Sequence, residues 1–154
     1  MARKASKEAI VLLQKIFDFL GRYGGTIETD SPSTWWSLYF DADKDDANDN
    51  RILSQIGVFK HLNGDIIFDP EFKIVMHMDG ERIDDVDIIE CAETTVFGTS
   101  VVDDNDNISM GGITEKDEIG LVERFSEFMH NMVEVGPYLT NPKKIEKYDK
   151  YISE

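Results

Sequence analysis

From Phe72 to Met78 every second residue is apolar. Phe72, Ile74, Met76 and Met78 fall on one side of an extended chain, and Lys73, Val75 and His77 fall on the other. A two-residue period belongs to a β-strand with one covered face, whereas a helix repeats its apolar positions every three to four residues. Two turn signals bracket the segment, Asn63-Gly64 before it and Asp79-Gly80 after it. Both dipeptides accept the positive φ that tight hairpins demand. A covered strand between two hairpin turns needs antiparallel neighbours and a second layer to cover it. This one segment therefore commits the chain to a sheet packed under something else.

Further strands follow from the same reasoning. Trp35 to Phe40 is aromatic-rich and reads as a strand, and so do the second half of Ile52 to Leu62 and the stretch Val86 to Phe97, with an irregularity near Ala92. Ile66 to Phe68 is expected to be short, because Pro70 cannot donate to a ladder. The ends have a different period. After a Ser6 N-cap, Ala9, Leu13, Ile16, Phe17 and Leu20 predict an amphipathic helix over 7–22, stopped by Gly21, Gly24 and Gly25. Ile119, Val122, Phe125, Met129, Met132 and Val133 predict a long helix over 114–136, with Thr114 and Asp117 arranged as a capping pair. Asn141-Pro142 predicts the start of a short charged helix over 142–152. The expected fold is a single α+β domain over 1–154. It has an N-terminal helix, an antiparallel meander of five or six strands within 26–113, a long C-terminal helix on one face and a short terminal helix.

Charge limits what such a domain can meet. The 154 residues hold 31 acidic and 16 basic side chains, a net charge of −15. Residues 1–23 hold five basic and two acidic side chains, 24–136 hold seven and 26, and 137–154 hold four and three. The acid thus belongs to the sheet, its loops and the helix after it. Phosphate contacts need a basic surface, so direct nucleic-acid binding is excluded as an expectation, and an anionic membrane would repel the chain. A single Cys rules out an internal disulfide and fits a cytoplasmic setting. No stretch approaches the roughly 18 apolar residues that span a bilayer.

The motifs that carry chemistry are absent or incomplete. Asp41, Asp43 and Asp45 begin like a calcium loop, but Asp46 stands where glycine is required and Ile52 where a bidentate glutamate is required. His61, His77 and His130 have no metal spacing, and Cys91 has no base near it in sequence. There is no phosphate-binding loop, dinucleotide fingerprint or nucleophile elbow. No catalytic residue, metal or cofactor is assigned.

The segment Asn63-Gly64-Asp65-Ile66-Ile67-Phe68-Asp69-Pro70-Glu71-Phe72 resembles a core motif in a group of small uncharacterised bacterial proteins often carried on phages, plasmids and conjugative elements. The likeness runs from about Leu62 to Cys91. This chain departs from the group after the second hairpin, where Asp84, Asp85 and Asp87 replace a polar-aromatic stretch. The resemblance implies a mobile-element setting and no activity.

The expected function is therefore that of a non-enzymatic acidic binding protein that engages a basic protein surface, in the manner of a DNA mimic, an anti-defence protein or an immunity-type inhibitor. The partner is a basic protein, of the kind that handles nucleic acid. The expected contact residues are Asp41, Asp43, Asp45, Asp46, Asp49, Asp84, Asp85, Asp87, Asp103, Asp104 and Asp106, with Trp36 as an outward aromatic anchor. The alternatives are a small enzyme with a carboxylate or histidine site and an acidic domain acting within a complex. The apolar strands also leave room for a sheet-mediated homodimer.

Overall fold

The alternation around Phe72 lies at the centre of a ten-stranded antiparallel sheet. The computed structural model describes residues 3–44, 50–95 and 98–148. In chain order the elements are β1 (Arg3–Lys4), α1 (Lys7–Leu20), β2 (Gly24–Glu28), β3 (Ser37–Lys44), β4 (Arg51–Leu62), β5 (Asp65–Asp79) and β6 (Arg82–Thr95). They continue as β7 (Gly98–Val102), β8 (Asn107–Met110), β9 (Ile113–Lys116), α2 (Leu121–Met129), a π-helical turn (His130–Val135) and β10 (Lys144–Lys147). Strands β2 to β9 form an uninterrupted meander. β10 adds to the β2 edge, and β1 pairs with β6 beside β7.

Both helices lie on one face. Leu13, Ile16, Phe17 and Leu20 of α1 and Leu121, Phe125, Phe128 and Met129 of α2 join Phe40, Ile56, Phe72, Ile74, Met76 and Ile88 of the sheet in one buried cluster. Phe72 meets the rings of Phe125 and Phe128, each at a centroid distance of 5.2 Å. The other face of the sheet carries mixed charge, including Lys73 beside Glu90 and His77 beside Asp87, and a patch where Tyr39 packs on Phe59 and Phe68. Ser6 caps α1 by accepting from the Ala9 amide, as its sequence position predicts.

The sheet is larger, and the helices are shorter, than the sequence predicts. Gly111-Gly112 forms the two-residue turn of a β8–β9 hairpin, with φ of 58° and 83°, and the second strand of that hairpin runs into the span predicted as helix. Pro70 does not end its strand. β5 runs on through it, because the facing register shifts between Gly57 and Phe59 and no ladder bond is required of its missing N–H. Asp41 to Lys44, expected in a loop, extend β3. Gly21 alone stops α1, at φ 95°, while Gly24 and Gly25 open β2.

The predicted long helix over 114–136 is overturned most clearly. Its first residues form β9, and α2 starts only at Leu121, whose amide donates to Asp106 Oδ1 at 2.8 Å. Asp117 accepts from the Gly120 amide and binds Arg124, and makes no cap with Thr114. The short helix expected over 142–152 is also replaced. Lys144–Lys147 pair with Glu28 to Gly25 as an edge strand, and residues 149–152 lie outside the described residues. Gly25 permits that pairing, since a Cβ there would stand 2.2 Å from the Glu146 carbonyl oxygen.

Candidate functional site: an acidic groove beside helix α2

The register shift at Val58 and the passage of the chain through Pro70 border a gap between the sheet and α2. The gap is a groove in two parts that meet at Val58, Asp69 and Met132. One part, of about 220 Å³, lies between β5, β6 and α2 and is walled by Phe72, Cys91, Glu93, Arg124 and Phe128. The other, of about 190 Å³, runs under Trp35, Trp36 and Tyr138. Arg124, Phe128 and Met132 recur at four-residue spacing, so one side of the helical segment supplies one wall. Tyr138 is fully buried, donates to the Trp36 carbonyl and meets the Trp35 ring edge-on at 6.0 Å.

The charge of the groove is lopsided. Asp69, Glu93 and Glu127 line it, against Arg124 alone. Arg124 is already committed. Its Nε and a terminal nitrogen bind the two oxygens of Asp117 at 2.8 and 2.9 Å, and its other terminal nitrogen reaches Glu93 at 3.4 Å. Asp117 is only 6% exposed, and the Arg124 guanidinium is the main reason its carboxyl is held below the usual range. Neither Asp69 nor Glu127 has an ion pair among the described residues. Burial raises both carboxyls and the Asp69 charge adds to the push on Glu93, which marks a site of negative potential.

Cys91 has different chemistry. Burial, and after it Glu93, push its thiol to about 12, so at neutral pH it carries no thiolate to act as a nucleophile. None of the three histidines lines the groove. Among the described residues no group of three acids, histidines or cysteines is arranged to hold a metal ion.

The acids singled out in the sequence lie elsewhere. Asp85 and Asp87 face away from the helices and both bind Lys4 Nζ at 2.7 Å; Asp87 also meets His77 Nε2 at 2.8 Å. Burial opposes ionisation of Asp87, but Lys4 and His77 outweigh it and hold the carboxyl low. Asp84 pairs with Arg82 on the surface. Asp103 closes its own turn by accepting from the Asn105 and Asn107 amides. The Asp104 carbonyl and the Asp106 carboxylate both hold Arg3. Two predicted clusters thus converge on the two basic residues of β1. Asp41 and Asp43 lie in β3, opposite Gln55 and Leu53, so the first residues of the supposed calcium loop are strand. Asp45, Asp46 and Asp49 lie outside the described residues. Trp36 lines the groove, and its ring carries Lys60 Nζ at 4.6 Å.

Asp69, Glu93, Arg124 and Tyr138 went unpredicted as site residues. They come from β5, β6, α2 and the turn before β10, and no local spacing links them. No family model, curated protein or solved structure matches the chain. No helix among the described residues is long and apolar enough to cross a membrane.

Proposed function

We propose that this chain is a non-enzymatic acidic binding protein that engages a basic protein surface, as a DNA mimic, an anti-defence protein or an immunity-type inhibitor does. The observation that carries the reading is the acid excess lining the groove, whose single basic residue is spent on Asp117. A net charge of −15 adds a long-range field that would steer a cationic partner toward the protein. The convergence of Asp85, Asp87 and Asp106 on Arg3 and Lys4 supports the reading too, because the protein already uses these acids to hold a basic strand. A nucleic-acid-handling partner fits this chemistry, since such proteins present arrays of Lys and Arg. The setting that goes with it is a bacterial cytoplasm and a mobile genetic element.

Steered, charge-driven association weakens with salt. Fluorescence anisotropy with a labelled nona-arginine peptide should show saturable binding whose Kd rises at least about tenfold between roughly 50 and 500 mM salt, as the Debye length contracts. Absence of binding at low salt, or an affinity indifferent to salt, would contradict the reading.

A further inference from the structure

The groove has features that a generally acidic surface does not need. Its two parts, about 220 and 190 Å³, join at Val58, Asp69 and Met132 into one continuous space. The two carboxylates on its sheet side come from different strands, Asp69 from β5 and Glu93 from β6, while Trp35, Trp36 and Tyr138 supply an aromatic end. Lys60 Nζ already occupies the Trp36 ring face, 4.6 Å from its centroid, which leaves that end of the groove to an apolar stem rather than to a guanidinium.

We propose that the groove takes one arginine side chain of a basic partner protein, its guanidinium held by Asp69 and Glu93 and its stem laid along Val58 and Met132 toward the Trp35–Trp36 end. The proposal rests on the reading above and names its point of contact. Charge complementarity selects a cation, because the carboxylates that line the groove outnumber its one committed guanidinium. The pair of carboxylates selects arginine over lysine. A planar guanidinium binds carboxylate oxygens in a fork, whereas an ammonium is a strongly hydrated point charge. The upward push on both carboxyls, from burial and, at Glu93, from the Asp69 charge, is relieved when a cation enters, so entry should release protons and tighten as pH rises through the acid range.

The test uses the full chain and butylguanidinium as the probe, with butylurea as its neutral counterpart and butylammonium as the lysine counterpart. Two-dimensional NMR should show saturable shifts of the Trp35 and Trp36 indole signals with butylguanidinium. Both counterparts should bind at least about tenfold more weakly, the difference expected of a charge-assisted, forked contact. Asp69→Asn with Glu93→Gln should weaken butylguanidinium to a similar degree. These amides keep the side-chain shape and remove only charge at positions that are not buried, so the variant should keep its fold, which thermal unfolding checks. Equal binding of butylurea would show a merely apolar groove and overturn the proposal. Equal binding of butylammonium would overturn the arginine assignment, and a variant that binds like wild type would overturn the roles of Asp69 and Glu93. Nona-arginine separates the two levels. If it binds wild type and variant equally, the groove is not the contact although the chain still engages a basic surface; if it binds neither, both readings fall.

Discussion

Arg124→Ala should lower the unfolding free energy by about 3 kcal/mol at neutral pH, the size seen when one partner of a buried ion pair is removed. The cost comes from Asp117 more than from the lost side chain. Asp117 is buried, and both its oxygens are bound to Arg124. Without the guanidinium, a charged carboxylate stays in the interior with only the amide bonds at the start of α2. The pH dependence separates this from a packing loss. In the wild type the Asp117 carboxyl is held below its ordinary value, so its contribution is present above the unfolded-state pKa and is lost as pH falls through the lowered one. In the variant burial raises the same carboxyl, so protonation relieves the penalty at mildly acidic pH. The difference between the two proteins should therefore shrink as pH is lowered. Urea unfolding at several pH values measures it, and a loss independent of pH would show that Arg124 acts through its stem alone. Asp117→Asn combined with Arg124→Leu should recover much of the stability, since the uncompensated charge is then gone.

Phe125→Ala should cost about 4 kcal/mol, within the range for deleting a buried aromatic ring and leaving a cavity. Phe125 has no exposed surface and packs its ring on Phe72 at 5.2 Å, where α2 meets the central strand β5. The sheet below is fixed by hydrogen-bonded neighbours on both sides, so it cannot collapse into the space. The urea midpoint should fall with the slope unchanged, which marks a loss of stability without a change in the surface exposed on unfolding. A loss below about 1 kcal/mol would mean that the helix can repack, and that α2 does not fix one wall of the groove.

Much of the sheet could be read from local chemistry, because hairpin turns and two-residue alternation are short-range signals. Asn63-Gly64 forms a turn with φ of 52° and 86°, and Gly80 supplies the positive φ of the next hairpin. The alternation from Phe72 to Met78 follows the burial of β5, and α1 follows from its apolar stripe and the Ser6 cap. What stayed hidden depends on partners distant in sequence. β10 has four exposed residues and no apolar alternation, and it is a strand only because β2 offers an edge. The start of α2 is set by Asp106, fifteen residues before Leu121, so nearby capping residues mislead. Pro70 looks like an end to its strand until the opposing register shift is known. The same distance hides the groove. Asp69 reads as a turn residue before proline, Glu93 as one acid among 31, and Arg124 as a solvated helix charge. Only the sheet register and the placement of α2 bring them together.

The central claim is that Asp69, which has no ion pair among the described residues, and Glu93, which among them only Arg124 meets, at 3.4 Å, take up a further cation in the groove. Side-chain carboxyl NMR of Asp69 and Glu93, titrated with and without butylguanidinium, tests it most directly. Both groups should titrate above their ordinary range in the free protein, and the cation should lower both, because it favours the ionised form. Ordinary values that the cation leaves unmoved would contradict the claim.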